Sequence, residues 1–114
     1  MRLAICKTSD LGENQSVKFK IPLEKFDREG LAINRGGIFF AYYNECPHIG
    51  LPLDWDDNDF FSLDMTSLVC KNHGAFFTPE SGECTAGPCH NKGLKPIVVV
   101  VEIKENQNWL MAEL

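Results

Sequence analysis

An all-β sheet sandwich is the fold this chain predicts, and three features point to it. Apolar and polar residues alternate at period 2 in Ser16-Val17-Lys18-Phe19-Lys20-Ile21. Valine and isoleucine dominate Leu94 to Lys104, a composition that suits a pleated, half-buried strand. Short apolar runs are separated throughout by glycine, proline, asparagine and aspartate, and no stretch shows a sustained amphipathic helical period. The 114 residues suffice for one ordinary domain, 1–114, and contain no repeat, linker or low-complexity segment.

Taken in order, Arg2 to Lys7 alternates in part and reads as a first strand. Ser16 to Ile21 is the second, stopped by Pro22, and Leu23 to Arg28 suits a single turn of helix. Gly30 to Asn34, Arg35-Gly36-Gly37 and Ile38 to Tyr43 form a hairpin in which glycine supplies positive φ at the bend. Strand character returns at Phe60 to Leu63, Ser67 to Cys70 and Ala75 to Thr78, with Pro79-Glu80-Ser81-Gly82 as a turn. Leu94 to Lys104 is the strongest strand. Glu105 to Asn108 turns the chain into a last one, Trp109 to Ala112.

Composition narrows the functional classes. Hydrophobic residues make up 44% and charged residues 24%, which describes a globular protein. The longest aliphatic run, Ile97 to Val101, is too short to cross a bilayer, and the start lacks an apolar signal region, so a cytoplasmic location without membrane association is expected. A formal charge of −5 and the lack of a basic, aromatic-interleaved stretch argue against nucleic acid as a partner. The five cysteines are an odd set, read as metal ligands or plain thiols in a reducing compartment.

Two of them belong to short motifs. Cys46-Pro47-His48 and Cys70-Lys71-Asn72-His73 each carry one thiolate and one imidazole, and 21 residues lie between the pairs. Pro47 stiffens the first turn, while Gly50 and Gly74 let backbone approach whatever the loops hold. Two cysteines and two histidines in this order suit a [2Fe–2S] cluster with cysteines on one iron and histidines on the other. Tetrahedral structural zinc accepts the same four side chains, but the order within glycine–proline loops is unlike common zinc fingers.

These residues resemble a known family. Cys46-Pro47-His48-Ile49-Gly50-Leu51-Pro52-Leu53 and Cys70-Lys71-Asn72-His73-Gly74-Ala75-Phe76-Phe77 are similar to the two cluster loops of Rieske [2Fe–2S] proteins. Ser81 to Pro88, followed by Leu94-Lys95-Pro96, resembles the third loop and its return strand, so the likeness runs from about Ile38 to about Ile103. It implies a Rieske-type sheet sandwich with a small cluster-binding subdomain formed by loops at about 44–53, 70–78 and 82–90. It implies one [2Fe–2S] cluster held by Cys46, His48, Cys70 and His73, with the histidines facing solvent as the electron exit.

The small Rieske-type ferredoxins are the nearest resemblance. They imply a one-electron carrier, without turnover of its own, between a flavin-dependent reductase and an oxygenase-type or other redox acceptor. The alternative is a small Rieske-like subunit or redox sensor of a larger enzyme such as a nitrite reductase. High-potential family members place serine and tyrosine hydroxyls where Ala75 and Phe77 stand, and a disulfide where Leu51 and Asn72 stand. Fewer donors to the sulfurs imply a low potential, of order −150 mV.

Other residues have plainer readings. Cys84 and Cys89 are either a second metal or redox pair or, the plainer choice, small fillers near the cluster lid. Cys6 reads as core and His90 as a surface residue. Asp54-Trp55-Asp56-Asp57-Asn58-Asp59 lengthens the gap beyond ferredoxin-type spacing and suggests a longer hairpin, either merely solvated or docking a basic partner, with Trp55 as a contact residue. Lys71 and Lys92 are candidates for positive charge near the cluster. Phe39, Phe40, Tyr42, Phe76 and Phe77 read as core and shielding.

Overall fold

The structure is a computed structural model that describes residues 1–23, 25–47, 51–72, 74–87 and 92–114. The strands are β1 (Arg2–Lys7), β2 (Ser16–Ile21), β3 (Arg28–Arg35), β4 (Ile38–Tyr43), β5 (Leu68–Cys70), β6 (Ala75–Phe77), β7 (Cys84–Ala86), β8 (Pro96–Lys104) and β9 (Gln107–Glu113). A short 3-10 turn at Thr8–Asp10 follows β1, and the described residues contain no α-helix. The large sheet runs β1-β9-β8-β4-β3-β2, and a small sheet runs β5-β6-β7, with antiparallel pairing throughout.

The large sheet is hinged at one place. β4 and β8 pair only through Ala41 with Ile97 and Tyr42 with Pro96, so the β1-β9-β8 half can fold over the β4-β3-β2 half. Between the halves lies one apolar core, formed by Leu11, Phe19, Ile21, Ala32, Ala41, Ile97, Leu110 and Ala112. The other face of β3 and β4 packs on the small sheet. There Leu31, Ile33 and Tyr42 join Cys46, Leu53, Phe60, Leu68, Cys70, Ala75 and Phe77 in a second core.

Strand alternation produces both cores from one hairpin. Successive side chains of a strand point to opposite faces, so Leu31 and Ile33 enter one core while Ala32 enters the other. The continuous apolar run Leu31-Ala32-Ile33 is therefore buried on both faces, each residue 0% exposed. Phe19 pairs with Gly30, and a Cβ added at Gly30 would lie 2.4 Å from Phe19 Cζ; the missing side chain is what admits the ring.

Several local expectations need correction. Leu23 to Arg28 forms no helical turn among its described residues; β3 already begins at Arg28. Phe60 to Leu63 is not a strand but contributes one isolated bridge, Phe61 with Leu68. The last turn is tighter than expected, because Glu105 and Asn106 both take positive φ (53° and 63°) and β9 resumes at Gln107. β7 was not expected; its Cys84–Ala86 stretch is too short and polar to show a strand pattern.

Candidate metal centre

The two expected cysteines come from two loops and meet one core. Cys46 follows β4 by three residues and Cys70 ends β5; both are 0% exposed, lie outside any disulfide and belong to the same buried cluster. His48, Gly50, His73, Cys89 and His90 lie outside the described residues. Two buried cysteines in one core suit soft metal ligation, and the chemistry of these donors fits an iron–sulfur cluster.

The first loop is bracketed by Asn44, which is 2% exposed. Its N–H donates to the Glu29 carbonyl at 2.9 Å, and its Oδ1 accepts the Leu53 N–H at 2.9 Å, tying both ends of the loop to β3. Nδ2 donates to Glu29 Oε1 at 2.7 Å and to Asp54 Oδ1 at 3.2 Å. Inside the loop, the Cys46 N–H donates to the Leu51 carbonyl at 2.7 Å.

The second loop turns at once. Cys70 faces Ala75 across the β5–β6 pair, and the Gly74 N–H returns to the Cys70 carbonyl at 2.8 Å. Gly74 has φ +69°, which suits glycine, yet a Cβ there would meet no described atom within 4 Å. Close approach of backbone to backbone is found at Gly87 (φ +97°), whose added Cβ would sit 2.7 Å from Ala75 Cα. The third loop thus packs directly on the second. Tyr42 supports its base by donating its hydroxyl to the Pro79 carbonyl at 2.7 Å, and burial with nearby Glu80 pushes the phenol up to about 12.

The two ligand loops also touch one another. The Lys71 N–H donates to the Leu53 carbonyl at 2.9 Å, and Asn72 Nδ2 donates to the Pro52 carbonyl at 2.8 Å. The 54–59 segment is no hairpin. It bends through Asp56 (φ 66°) and Asn58 (φ 55°), both left-handed positions that Asp and Asn tolerate. Asp54 is buried, which by itself pushes its carboxyl up; hydrogen bonds from Asn44, Lys18 and the Asn58 N–H outweigh this and hold it below the usual range.

Among the remaining expectations, Trp55 is 68% exposed, but its ring carries Lys71 Nζ 5.6 Å from the centroid. Tyr42 and Phe77 are core, Phe39 and Phe40 are half-buried against it, and Phe76 is exposed, because β6 turns alternate residues outward. Cys6 is half-buried beside the sandwich core, and burial with Asp10 nearby raises its thiol pKa. Cys84 packs partly buried against the core that holds Cys46 and Cys70, but it is disulfide-bonded, which corrects the expectation of thiols alone. No local pattern marks Asn44, Lys18 or Asn72 as site residues; the one clue is that Asn44 stands two residues before Cys46.

Comparison with known proteins agrees with this fold. The Rieske [2Fe–2S] domain profile matches residues 1–105. The fold is similar to the ferredoxin of carbazole 1,9a-dioxygenase from Nocardioides aromaticivorans IC177, with TM-score 0.66, 19% identity and 96% of each chain covered. It is similar to the Sphingomonas yanoikuyae B1 ferredoxin, with TM-score 0.64, 22% identity, 96% of this chain and 97% of that one. The terminal oxygenase of carbazole 1,9a-dioxygenase from Novosphingobium sp. KA1 has TM-score 0.74 at 15% identity, over 97% of this chain and 29% of that one. No curated protein matches the chain by sequence.

Proposed function

The chain belongs to the Rieske [2Fe–2S] family, and from that premise we propose that it is a one-electron carrier of the ferredoxin type. Cys46, His48, Cys70 and His73 hold the [2Fe–2S] cluster, and the protein passes single electrons from a flavin-dependent reductase to an oxygenase-type acceptor. The observation that carries the ligand reading is the meeting of Cys46 and Cys70, from two separate loops, in one fully buried cluster. Size adds support: a neighbour of the same fold that covers almost the same length is a dioxygenase ferredoxin.

The bound cluster supplies a centre that gains or loses one electron. The protein's part is to hold that centre still and dry on the cysteine side. Leu53, Phe60, Ala75 and Phe77 surround the two cysteines with apolar groups, which makes added negative charge costly there and favours the oxidised form. No described helix is long and apolar enough to cross a membrane.

The test is visible absorption and low-temperature EPR on anaerobically purified protein before and after dithionite. A red-brown protein giving a rhombic signal only when reduced, with average g below the free-electron value, supports mixed cysteine–histidine ligation. Rapid reduction by a flavin reductase and reoxidation by an acceptor supports the carrier role; a tight stoichiometric complex with one large subunit would replace it. A colourless protein with stoichiometric zinc would end the electron-transfer reading.

A further inference from the structure

The aspartates of the 54–59 segment are divided between two lysines, with Asp54 buried and the other three exposed. Lys18, on β2, lies 3.2 Å from Asp54 Oδ2 and 2.6 Å from Asp56 Oδ1. Lys71, the residue after Cys70, pairs with Asp57 and lies 3.5 Å from Asp59 Oδ2. The segment is a strap. One end is fastened to the sheet, the other to the loop that carries Cys70.

Position gives the second pair a consequence. The Lys71 side chain is only 17% exposed, because Trp55 covers it, while Asp57 and Asp59 are 44% and 64% exposed. Its backbone N–H is held by the Leu53 carbonyl and its ammonium by Asp57 and Asp59, so the charge is fixed on the loop that carries the fully buried Cys70. A fixed cation there favours the more negative, reduced state of whatever Cys70 binds, and two carboxylates on that cation oppose it.

We propose that Lys71, Asp57 and Asp59 form a charge group that sets the reduction potential, and that the 54–59 strap holds it in place. This rests on the reading of Cys70 as a cluster ligand. The group carries one net negative charge, so it holds the potential down. Its members are positioning residues acting through space, and none touches a reacting atom.

A purely structural strap and a potential-setting one differ in sign. In redox titrations of the cluster-loaded protein, Asp57→Asn/Asp59→Asn should shift electron exchange with a fixed mediator roughly fivefold toward the reduced form, about 40 mV at ~59 mV per tenfold for one electron. Lys71→Gln should shift it in the opposite direction, and Lys71→Arg should leave it within about twofold of wild type. Asp57→Asn alone, a change on the surface, should give a smaller shift of the same sign as the double variant, and it keeps the test available if the double variant loses its cluster. Shifts of one sign in both the aspartate and lysine variants, or none, would overturn the proposal. A wild-type protein that binds no iron would instead overturn the reading of Cys70, a different result from a coloured protein whose potential ignores these charges.

Discussion

Lys18 and Asp54 form an ion pair with 3.2 Å between Nζ and Oδ2, in which the carboxylate side chain is 1% exposed and the ammonium 18%. Lys18 belongs to β2 and Asp54 follows the first ligand loop, so the pair joins the sheet to the site. Asn44 shares the same carboxylate, which places a hydrogen-bonded polar group at the base of that loop.

Breaking this pair should be costly. Asp54→Ala takes from Lys18 its buried partner, leaving Asp56, and removes one acceptor of Asn44 Nδ2 and that of the Asn58 N–H; it should destabilise the fold by about 2 kcal/mol. The folded-state pKa of Asp54 is depressed below 3.8, so its contribution is complete above that pH and fades as pH falls through the depressed value. Urea unfolding should show the wild-type advantage over Asp54→Ala undiminished at pH 6 and shrinking below about pH 4. An advantage that grows on acidification would contradict the depressed pKa.

Cysteine variants separate ligands from bystanders. Cys46→Ala and Cys70→Ala should each abolish visible absorbance and reduce bound iron to background, since both thiols lie in the shared buried cluster. Cys6→Ala should retain both, because Cys6 packs at the other core. Iron analysis beside the spectrum checks each variant.

The third loop depends on one glycine. Gly87→Ala forces a Cβ to 2.7 Å from Ala75 Cα at φ +97°, a clash with backbone and a strained conformation together. The cost should be about 2 kcal/mol, carried mostly by separation of the third loop from the second. Faster bleaching of the visible spectrum in air, with the β-sheet circular dichroism unchanged, is the expected outcome; bleaching at the wild-type rate would show that the loop adapts.

Tyr42→Phe removes the buried hydrogen bond to Pro79 and leaves that carbonyl without its donor, a loss of about 1–2 kcal/mol in urea unfolding. The pKa of about 12 adds a pH signature. Because the folded value is raised, Tyr42 stabilises fully below the ordinary value of 10.0 and loses that contribution as pH rises toward about 12. Wild type should therefore approach the stability of Tyr42→Phe across that alkaline range.

The potential should be low, of order −150 mV, because Ala75 and Phe77 offer no hydroxyl to the sulfurs from β6. Dye-mediated titration followed by visible absorption measures it. A value above roughly +100 mV, in the upper part of the span open to such clusters, would show that other donors compensate.

Much of this protein is local information. Period-2 alternation marked β2, the glycine pair marked the β3–β4 turn, and the valine run marked β8. The two cysteine–histidine motifs are contiguous, so they stand out in the chain without reference to the fold. The turn at Glu105 and Asn106 is tighter than composition announces, because two non-glycine residues occupy left-handed conformations there. Short strands such as β7 exist through pairing with a neighbour, not through a pattern of their own.

Residue types and short spacings alone carry the all-β class and the family likeness, because they encode strand period and the chemistry of thiol and imidazole side chains. How the aspartates are used follows from the packing of the sheets. Lys18 and Asp54 are far apart in the chain, and so are Asp57 and Lys71; nothing in a run of four aspartates says which is buried, which is paired and with what. That assignment depends on where β2 and the end of β5 bring their lysines, and such distances exist only after the sheets have packed.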